Sequence, residues 1–335
     1  MATIPDLGDL LDSMHVVSIP MRVRFRGVDR REAVLLEGPA GWGEFSPFLE
    51  YGPGEASRWL AAAVEAAWTG WPAPLRSRVP VNATVPAIGP ERVREVLARF
   101  EGAVTAKVKV AEPGQSLSDD LNRVAAVRDV LGPQGRIRVD ANGAWSVREA
   151  SDALSRLASY GLEYAEQPCA AVGDLRELRL RLARAGLDVL VAADESIRKA
   201  EDPLRVAREE AADIVVVKVA PLGGVRHASQ LVAACGLPAV VSSALDTSVG
   251  IAAGVALAAA LPELPYACGL GTVALLEGDV ARQSLVPRAG EVPTIRVAAD
   301  PQLLARWAVT ADRLAWWRRR VTECHPLLSG NTVDP

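Results

Sequence analysis

Histidine is nearly absent from this chain: three in 335 residues, at His15, His227 and His325. None lies near the strand ends assigned below, so zinc held by imidazole and histidine acid–base catalysis are poor fits. Cysteine is equally sparse. Cys169, Cys235, Cys268 and Cys324 are far apart and form no CxxC pair, which excludes a disulfide framework or a thiolate zinc site and leaves buried, reduced thiols in a cytoplasmic protein. Positive charge is not in excess. With 37 basic and 41 acidic side chains the net charge is -4, and no basic stripe is present, so neither nucleic acid nor an acidic membrane is an expected partner. Long apolar runs are also missing. The longest, "VGIAAGVALAAAL" at 249–261, stops before Pro262; it is too short to span a bilayer and reads as a buried, alanine-rich helix. The N-terminus has no basic-then-apolar leader.

What is present is a rhythm. From residue 79, short strand-like runs recur: "VPVNATV" (79–85), "AVTAKVKV" (103–110), "GRIRVDAN" (135–142), "LEYAEQP" (162–168), "LDVLVAADES" (187–196), "DIVVVKVA" (213–220), "LPAVVSSALD" (237–246) and "PYACGLGT" (265–272). Between them lie stretches with apolar positions three and four apart, such as "LNRVAAVRDVL" (121–131) and "SVREASDALSRLASY" (146–160), which predict helices. Strand–helix alternation implies parallel strands, and eight units are the number that closes a (β/α)8 TIM barrel. The rival, a doubly wound open sheet, lacks its GxGxxG turn after the first strand.

Residues 1–78 break the rhythm. "HVVSIPMRVRF" and "REAVLLEG" predict antiparallel strands and "GEASRWLAAAVEAAW" (54–68) a helix, so an α+β capping domain is expected over 1–78. The Pro-rich "WPAPLRSRVP" (71–80) then leads into a barrel over 79–272. Residues 273–335 are expected to pack back on barrel and cap, with one helix over "PQLLARWAVTADRLAWWRRR" (301–320) and a frayed "LLSGNTVDP" at the end.

The unusual residues fall at the C-terminal ends of the strands, where such barrels carry their sites. Lys107 and Lys109, Asp140, Glu166, Asp194 with Glu195, and Lys218 occupy five successive units. One carboxylate at a strand end is ordinarily a helix cap or a loop ion pair. Five charged ends in a row are not, because unpaired buried charge costs several kcal/mol. Three carboxylates from neighbouring strands form an all-oxygen set suited to a hard dication, Mg²⁺ with Mn²⁺ as substitute; between Asp194 and Glu195 the spacing does not choose. A lysine beside such an ion has its pKa lowered, toward about 7–8, where it works as a base. Together these suit removal of a proton α to a carboxylate, whose enediolate product a dication stabilises.

The motifs "KVK", "DANGAW", "EQP", "ADES", "KVAPLGG" and "SSALDTSVG", in that order, resemble the enolase superfamily and its muconate-lactonizing subgroup. The resemblance implies a modified TIM barrel with an N-terminal cap. It implies Asp140, Glu166 and Asp194 as metal ligands, with Glu195 and Asn142 supporting them. Lys109 would be the base, Lys107 would tune it, and Lys218 would sit on the opposite face. Ser242 and Ser243 would hold a distal part of a small-molecule carboxylate substrate, Arg138 would meet a substrate carboxylate, and "GWGEFSPF" (41–48) would be the flap over the site. Within the subgroup, "RVDANGAW", "SSALDTSVG" and an acid-free "CGLGT" are most similar to the menaquinone-pathway branch, a hydro-lyase that dehydrates a succinyl-bearing cyclohexadiene carboxylate. N-acylamino acid racemisation and muconate-type cycloisomerisation use the same residues. A Schiff-base aldolase would leave the three carboxylates unexplained, and a barrel kept only as a scaffold would lack a ligand or a lysine. Monomer and homo-oligomer both remain open.

Overall fold

The computed structural model describes residues 4–25, 27–199 and 202–330. Helix α1 (Leu7–Ser13) leads into a three-stranded antiparallel sheet of β1 (Met14–Phe25), β2 (Val28–Gly38) and β3 (Gly41–Phe45), in that order. Helix α2 (Pro53–Val64), running on into a π-helical turn at Glu65–Thr69, lies across β3. The approach is so close that a Cβ on Gly43 would stand 2.1 Å from the Ala63 carbonyl oxygen, so no larger residue fits there. Here the structure departs from expectation: "GWGEF" is a paired strand of the cap, from which Glu44 reaches the barrel, and Phe48 after it covers the site.

The stretch 79–85 is divided. Strand β4 (Arg78–Pro80) pairs with a late strand, Glu291–Pro293, whereas β5 (Ala83–Val85) begins the barrel. After α3 (Val93–Leu97), strand and helix alternate: β6 (Thr105–Lys109), α4 (Leu117–Leu131), β7 (Arg136–Asp140), α5 (Val147–Leu157), β8 (Leu162–Glu166), α6 (Val172–Arg184), β9 (Leu190–Ala193), α7 (Glu195–Arg198), α8 (Arg205–Arg208), β10 (Ile214–Lys218), α9 (Val225–Cys235), β11 (Ala239–Ser242) and α10 (Ser248–Ala260). Local chemistry starts the outer helices. Ser116 and Ser146 each form a reciprocal capping box with the acid three residues on, Asp119 and Glu149. Helix α10 is buried along nearly its whole length, as its alanine-rich sequence predicts.

Strands β5 to β11 form one parallel sheet in sequence order, curled on itself. The eighth run, 265–272, forms no regular strand, yet it bridges the two edges. Asn82 N–H donates to the Cys268 carbonyl (2.9 Å), Cys268 N–H to Pro80 (2.7 Å) and Gly269 N–H to Val241 (2.8 Å). The side chain of Ser242 crowds Gly269, where an added Cβ would lie 2.5 Å from its hydroxyl.

After β12 (Glu291–Pro293), the expected single helix over 301–320 is two, α11 (Pro301–Arg306) and α12 (Ala311–Cys324). The break serves pairing: Ser18 N–H donates to the Trp307 carbonyl (2.8 Å) and Val309 N–H to Val16 (3.2 Å), so this stretch extends the edge of β1. Trp317 of α12 is fully buried and donates its indole N–H to Glu32 of β2 (2.7 Å). The fraying expected over 327–335 is corrected for 327–330, which end the 3₁₀ helix His325–Gly330 with Leu328 buried; residues 331–335 lie outside the described residues. No helix among the described residues is long and apolar enough to cross a membrane.

Candidate active site

Parallel register sets the site. Lys109 pairs with Asp140 and Asp140 with Glu166, so three ionisable residues lie in one row across β6, β7 and β8; Lys107, Arg138 and Tyr164 form the row below. Side chains alternate along each strand, so both rows face the barrel interior. Lys107, Lys109 and Lys218 are all buried, and Asp140, Glu166 and Asp194 almost completely so.

The charges pair across strands. Lys107 Nζ donates to Glu166 Oε1 (2.7 Å) and lies 3.4 Å from Asp140 Oδ2. Lys109 Nζ contacts Asp140 Oδ2 (2.5 Å) and the Asn142 side-chain oxygen (2.6 Å), while Lys218 Nζ contacts Asp194 Oδ2 (2.5 Å). Lys109 and Lys218 thus enter from strands separated by the three acid-bearing units. Asn142 also donates to Glu195 Oε1 (3.2 Å).

Burial opposes the charge on Lys107, but Glu166 and Asp140 outweigh it and raise its pKa, so this ammonium stays protonated. Lys218 is lowered, chiefly by burial. Burial pushes Glu166 up to about 7, with Asp140 adding to it. Burial also acts on Asp140 and Asp194, but the lysines around them, with Arg198 beside Asp194, hold both well below the usual carboxylate range.

Among the described residues no three acidic or imidazole side chains stand close enough together to hold an ion as they are. One cause is visible: the Lys107 ammonium lies between Asp140 and Glu166, while Lys109 occupies an oxygen of Asp140 and Lys218 one of Asp194. The donor set nonetheless fits a hard dication. All its atoms are oxygens, and Glu166 Oε2 is buried with no hydrogen-bond partner, an orphan that a cation would satisfy.

Phe25 and Phe48 of the cap cover a cavity of about 30 Å³ lined by Lys107, Lys109, Asp140, Asn142, Lys218, Ser242 and Ser243, with Thr84 and Thr272 completing the wall. The Ser243 hydroxyl donates to the Gly269 carbonyl (2.6 Å) and pairs with the Thr272 hydroxyl (2.8 Å). Arg138 is not there, which corrects its expected role. Its guanidinium points to the barrel floor, where it meets Glu163 (2.5 Å), Asn82 (3.1 Å) and the Ala267 carbonyl (2.7 Å) and stacks on Tyr164.

Besides the wall residues Thr84 and Thr272, three residues of the site escaped the sequence reading. Gln167, the middle of "EQP", accepts from the backbone N–H groups of Asp194 (2.9 Å) and Ser196 (3.2 Å) with a left-handed φ of 38°. Arg198 holds Asp194 and Glu195, and Phe25 places its ring 5.2 Å from Lys109 Nζ. Gln167 was legible as part of a motif; the other two carry no local signal.

Comparison with known proteins agrees with this geometry. Residues 91–298 match the family described as enolase C-terminal domain-like, and residues 16–67 the one described as enolase N-terminal domain-like. The o-succinylbenzoate synthase of Thermobifida fusca is 59% identical over 302 residues, covering 90% of this chain and 93% of that protein. That of Mycolicibacterium smegmatis is 57% identical over 326 residues, covering 97% and 99%. Among solved structures, muconate lactonizing enzyme from Pseudomonas fluorescens, complexed with muconolactone, superposes with a TM-score of 0.76 at 20% identity, covering 89% of this chain and 98% of that one. At that identity the likeness speaks for the fold alone. The chain belongs to the enolase superfamily and, within it, to the o-succinylbenzoate synthase family of carbon–oxygen lyases.

Proposed function

We propose that this chain catalyses the o-succinylbenzoate synthase reaction of menaquinone biosynthesis in the cytoplasm: syn-dehydration of 2-succinyl-6-hydroxy-2,4-cyclohexadiene-1-carboxylate to 2-succinylbenzoate. The observation that carries this reading is the row Lys109–Asp140–Glu166 facing Lys218 across the barrel mouth, in a chain so similar to those synthases. Four buried free thiols suit a reducing compartment.

Enzymes of this superfamily typically use a divalent metal. Asp140, Glu166 and Asp194 would hold Mg²⁺, or Mn²⁺ in its place, with Asn142 and Glu195 supporting the shell. The bound ion supplies Lewis-acid stabilisation of the negative charge that develops on the substrate carboxylate. The local charge count favours this. With Lys109 neutral, as the base must be, three cations (Lys107, Lys218, Arg198) face four carboxylates (Asp140, Glu166, Asp194, Glu195), so a dication offsets charge that the site's own cations leave unbalanced.

Lys109, released from Asp140 and neutral, takes the proton α to the ring carboxylate. The same ammonium then protonates the departing hydroxide on that face, giving water and a new ring double bond. Using one group for both transfers makes the elimination syn. Lys107, anchored to Glu166 and Asp140, stays charged and sets the field around Lys109. Lys218 remains a cation against the other face of the ring. Ser242 and Ser243 hold the succinyl end. Residues 1–78 act as the cap and 79–272 as the catalytic barrel, with 273–335 bracing both.

A second reading has one observation in its favour. Lysines on opposite sides of one carboxylate row could exchange an α-proton, which would racemise N-acylamino acids. The test is turnover of each substrate with added Mg²⁺. Dehydration that EDTA abolishes and Mg²⁺ restores is expected; activity that persists in EDTA would remove the metal-assisted mechanism.

A further inference from the structure

Arg198 is buried and has no place in the proton transfers, yet it has more charged partners than any lysine of the site except Lys107. Its Nε donates to Asp194 Oδ1 (3.0 Å), its Nη2 to Glu195 Oε1 (2.5 Å) and its Nη1 to the Tyr51 hydroxyl (3.3 Å). The first two partners belong to the barrel and the third to the cap. Tyr51 and Phe48, whose ring covers the cavity, pack edge to face with centroids 5.7 Å apart. Arg320 of α12 donates to the carbonyls of both residues, which binds Phe48–Tyr51 into one piece. A cavity of about 30 Å³ has room for about two waters, far less than the roughly 150 Å³ of a cavity that takes benzene, itself smaller than a cyclohexadiene dicarboxylate. The cover therefore withdraws to admit substrate, and when Phe48 leaves, the Tyr51 hydroxyl leaves Arg198.

We propose that Arg198 is a positioning residue that couples closure of the Phe48–Tyr51 segment to the orientation of the Asp194 carboxylate. This rests on the reading of Asp194 as a metal ligand. Asp194 is held at both oxygens, Oδ1 by Arg198 Nε and Oδ2 by Lys218, so a guanidinium whose own plane is locked by its other partners fixes which way the carboxylate faces, whereas an ammonium fixes only a distance. Tyr51 holds the one edge of that plane that neither acid reaches. Closing the cover thus sets the ligand, and an open site holds its ion less well.

Titration of the metal-stripped enzyme with Mn²⁺, followed by electron paramagnetic resonance without substrate, tests this alongside kcat and KM. Arg198→Lys keeps the charge and loses the fork; it is expected to weaken Mn²⁺ about tenfold, within the range found for groups that orient metal ligands. Tyr51→Phe keeps the ring packing and removes only the hydroxyl; a roughly two- to fivefold weakening and a lower kcat are expected. Arg198→Gln separates orientation from charge, since a mere counter-charge, once removed, would tighten Mn²⁺. Unchanged Mn²⁺ affinity in the first two variants, or tighter binding in the third, overturns the proposal. Should Arg198→Lys not fold, Tyr51→Phe alone decides it. A wild-type enzyme that binds no Mn²⁺ and turns over no substrate would remove the metal-site reading and the coupling with it, whereas normal binding and turnover with silent variants removes the coupling alone.

Discussion

The two ends of the barrel interior are built from the same strands and carry opposite chemistry. The floor is apolar, with Tyr164, Ala192, Ile214, Val216 and Val240 in mutual contact, and admits one strong charge, Arg138. The mouth holds three lysines and three carboxylates within two residues of the strand ends. Arg138 meets an acid, an amide oxygen, a carbonyl and two tyrosine rings, all fixed by the fold. The mouth balances its charges chiefly against one another, with Asn142 the neutral partner of Lys109 and Asp140, and still leaves a carboxylate oxygen of Glu166 without a partner. Charge answered by immovable partners is packing; charge answered by other mobile ionic groups can be rearranged by a ligand, and that is what chemistry needs.

The sharpest way to break this contrast is Lys109→Ala. If the mouth carries the proton transfer, dehydration should fall by about 10³-fold or more while circular dichroism and thermal unfolding stay close to wild type. Lys218→Ala should also abolish turnover through loss of the opposing charge. Full activity in either variant would reassign the base.

The floor should respond the other way. Arg138→Met leaves the Asn82 side-chain oxygen without its partner and Glu163 with only its 3.3 Å contact to the exposed Arg136, and breaking a buried pair costs about 3–5 kcal/mol, so a fall in Tm of roughly 10 °C is expected. At a temperature where the variant is folded, kcat and KM should match wild type. A raised KM at unchanged stability would return Arg138 to the substrate.

This residue also marks the limit of what was readable in the sequence. Period-two alternation places Arg138 on the inner face with Asp140, and that holds. It says nothing about which way a long side chain leans once inside. Lys107 and Arg138 are register partners in one layer; Lys107 turns up to Glu166 and Arg138 turns down to Glu163. The deciding residues, Asn82 and Ala267, come from the first and last barrel units, about 185 positions apart in the chain. The strand rhythm and the acid at each strand end were legible because they are local. The third cap strand was not, because "GWGEF" carries no alternating pattern of its own even though it folds back on β2 through a tight turn; the Tyr51–Arg198 contact was not, because it joins distant segments whose own patterns are neutral.

Between floor and mouth in character stands the seam where cap meets barrel. Glu44 of β3 reaches the start of α10, accepting from the Thr247 hydroxyl (2.5 Å) and the N–H groups of Thr247 (3.1 Å) and Gly250 (3.0 Å). Burial, with Asp246 adding to it, pushes Glu44 up to about 7 from an ordinary 4.5. Between those values the folded chain binds the proton more tightly than the unfolded one. This contribution to stability therefore falls as pH rises from about 4.5 to 7 and is flat above. Denaturant titrations across that window should show the slope in wild type and a shallower one in Glu44→Gln, since Glu166, raised to about 7 as well, supplies the same sign of slope. The same slope in both proteins would assign the linkage elsewhere.

The smallest expected effect refines the contrast within the mouth itself. Ser243 lines the cavity, but its hydroxyl already donates to the Gly269 carbonyl and meets Thr272. A group already satisfied by the protein offers a ligand only its remaining lone pair, so its removal should be felt weakly. Ser243→Ala is expected to raise KM about two- to fivefold, near 1 kcal/mol or less, with kcat nearly unchanged. A loss of kcat as deep as that of Lys109→Ala would mean that the hydroxyl changes partners during the reaction, and that the neutral wall of the mouth is as rearrangeable as its charged one.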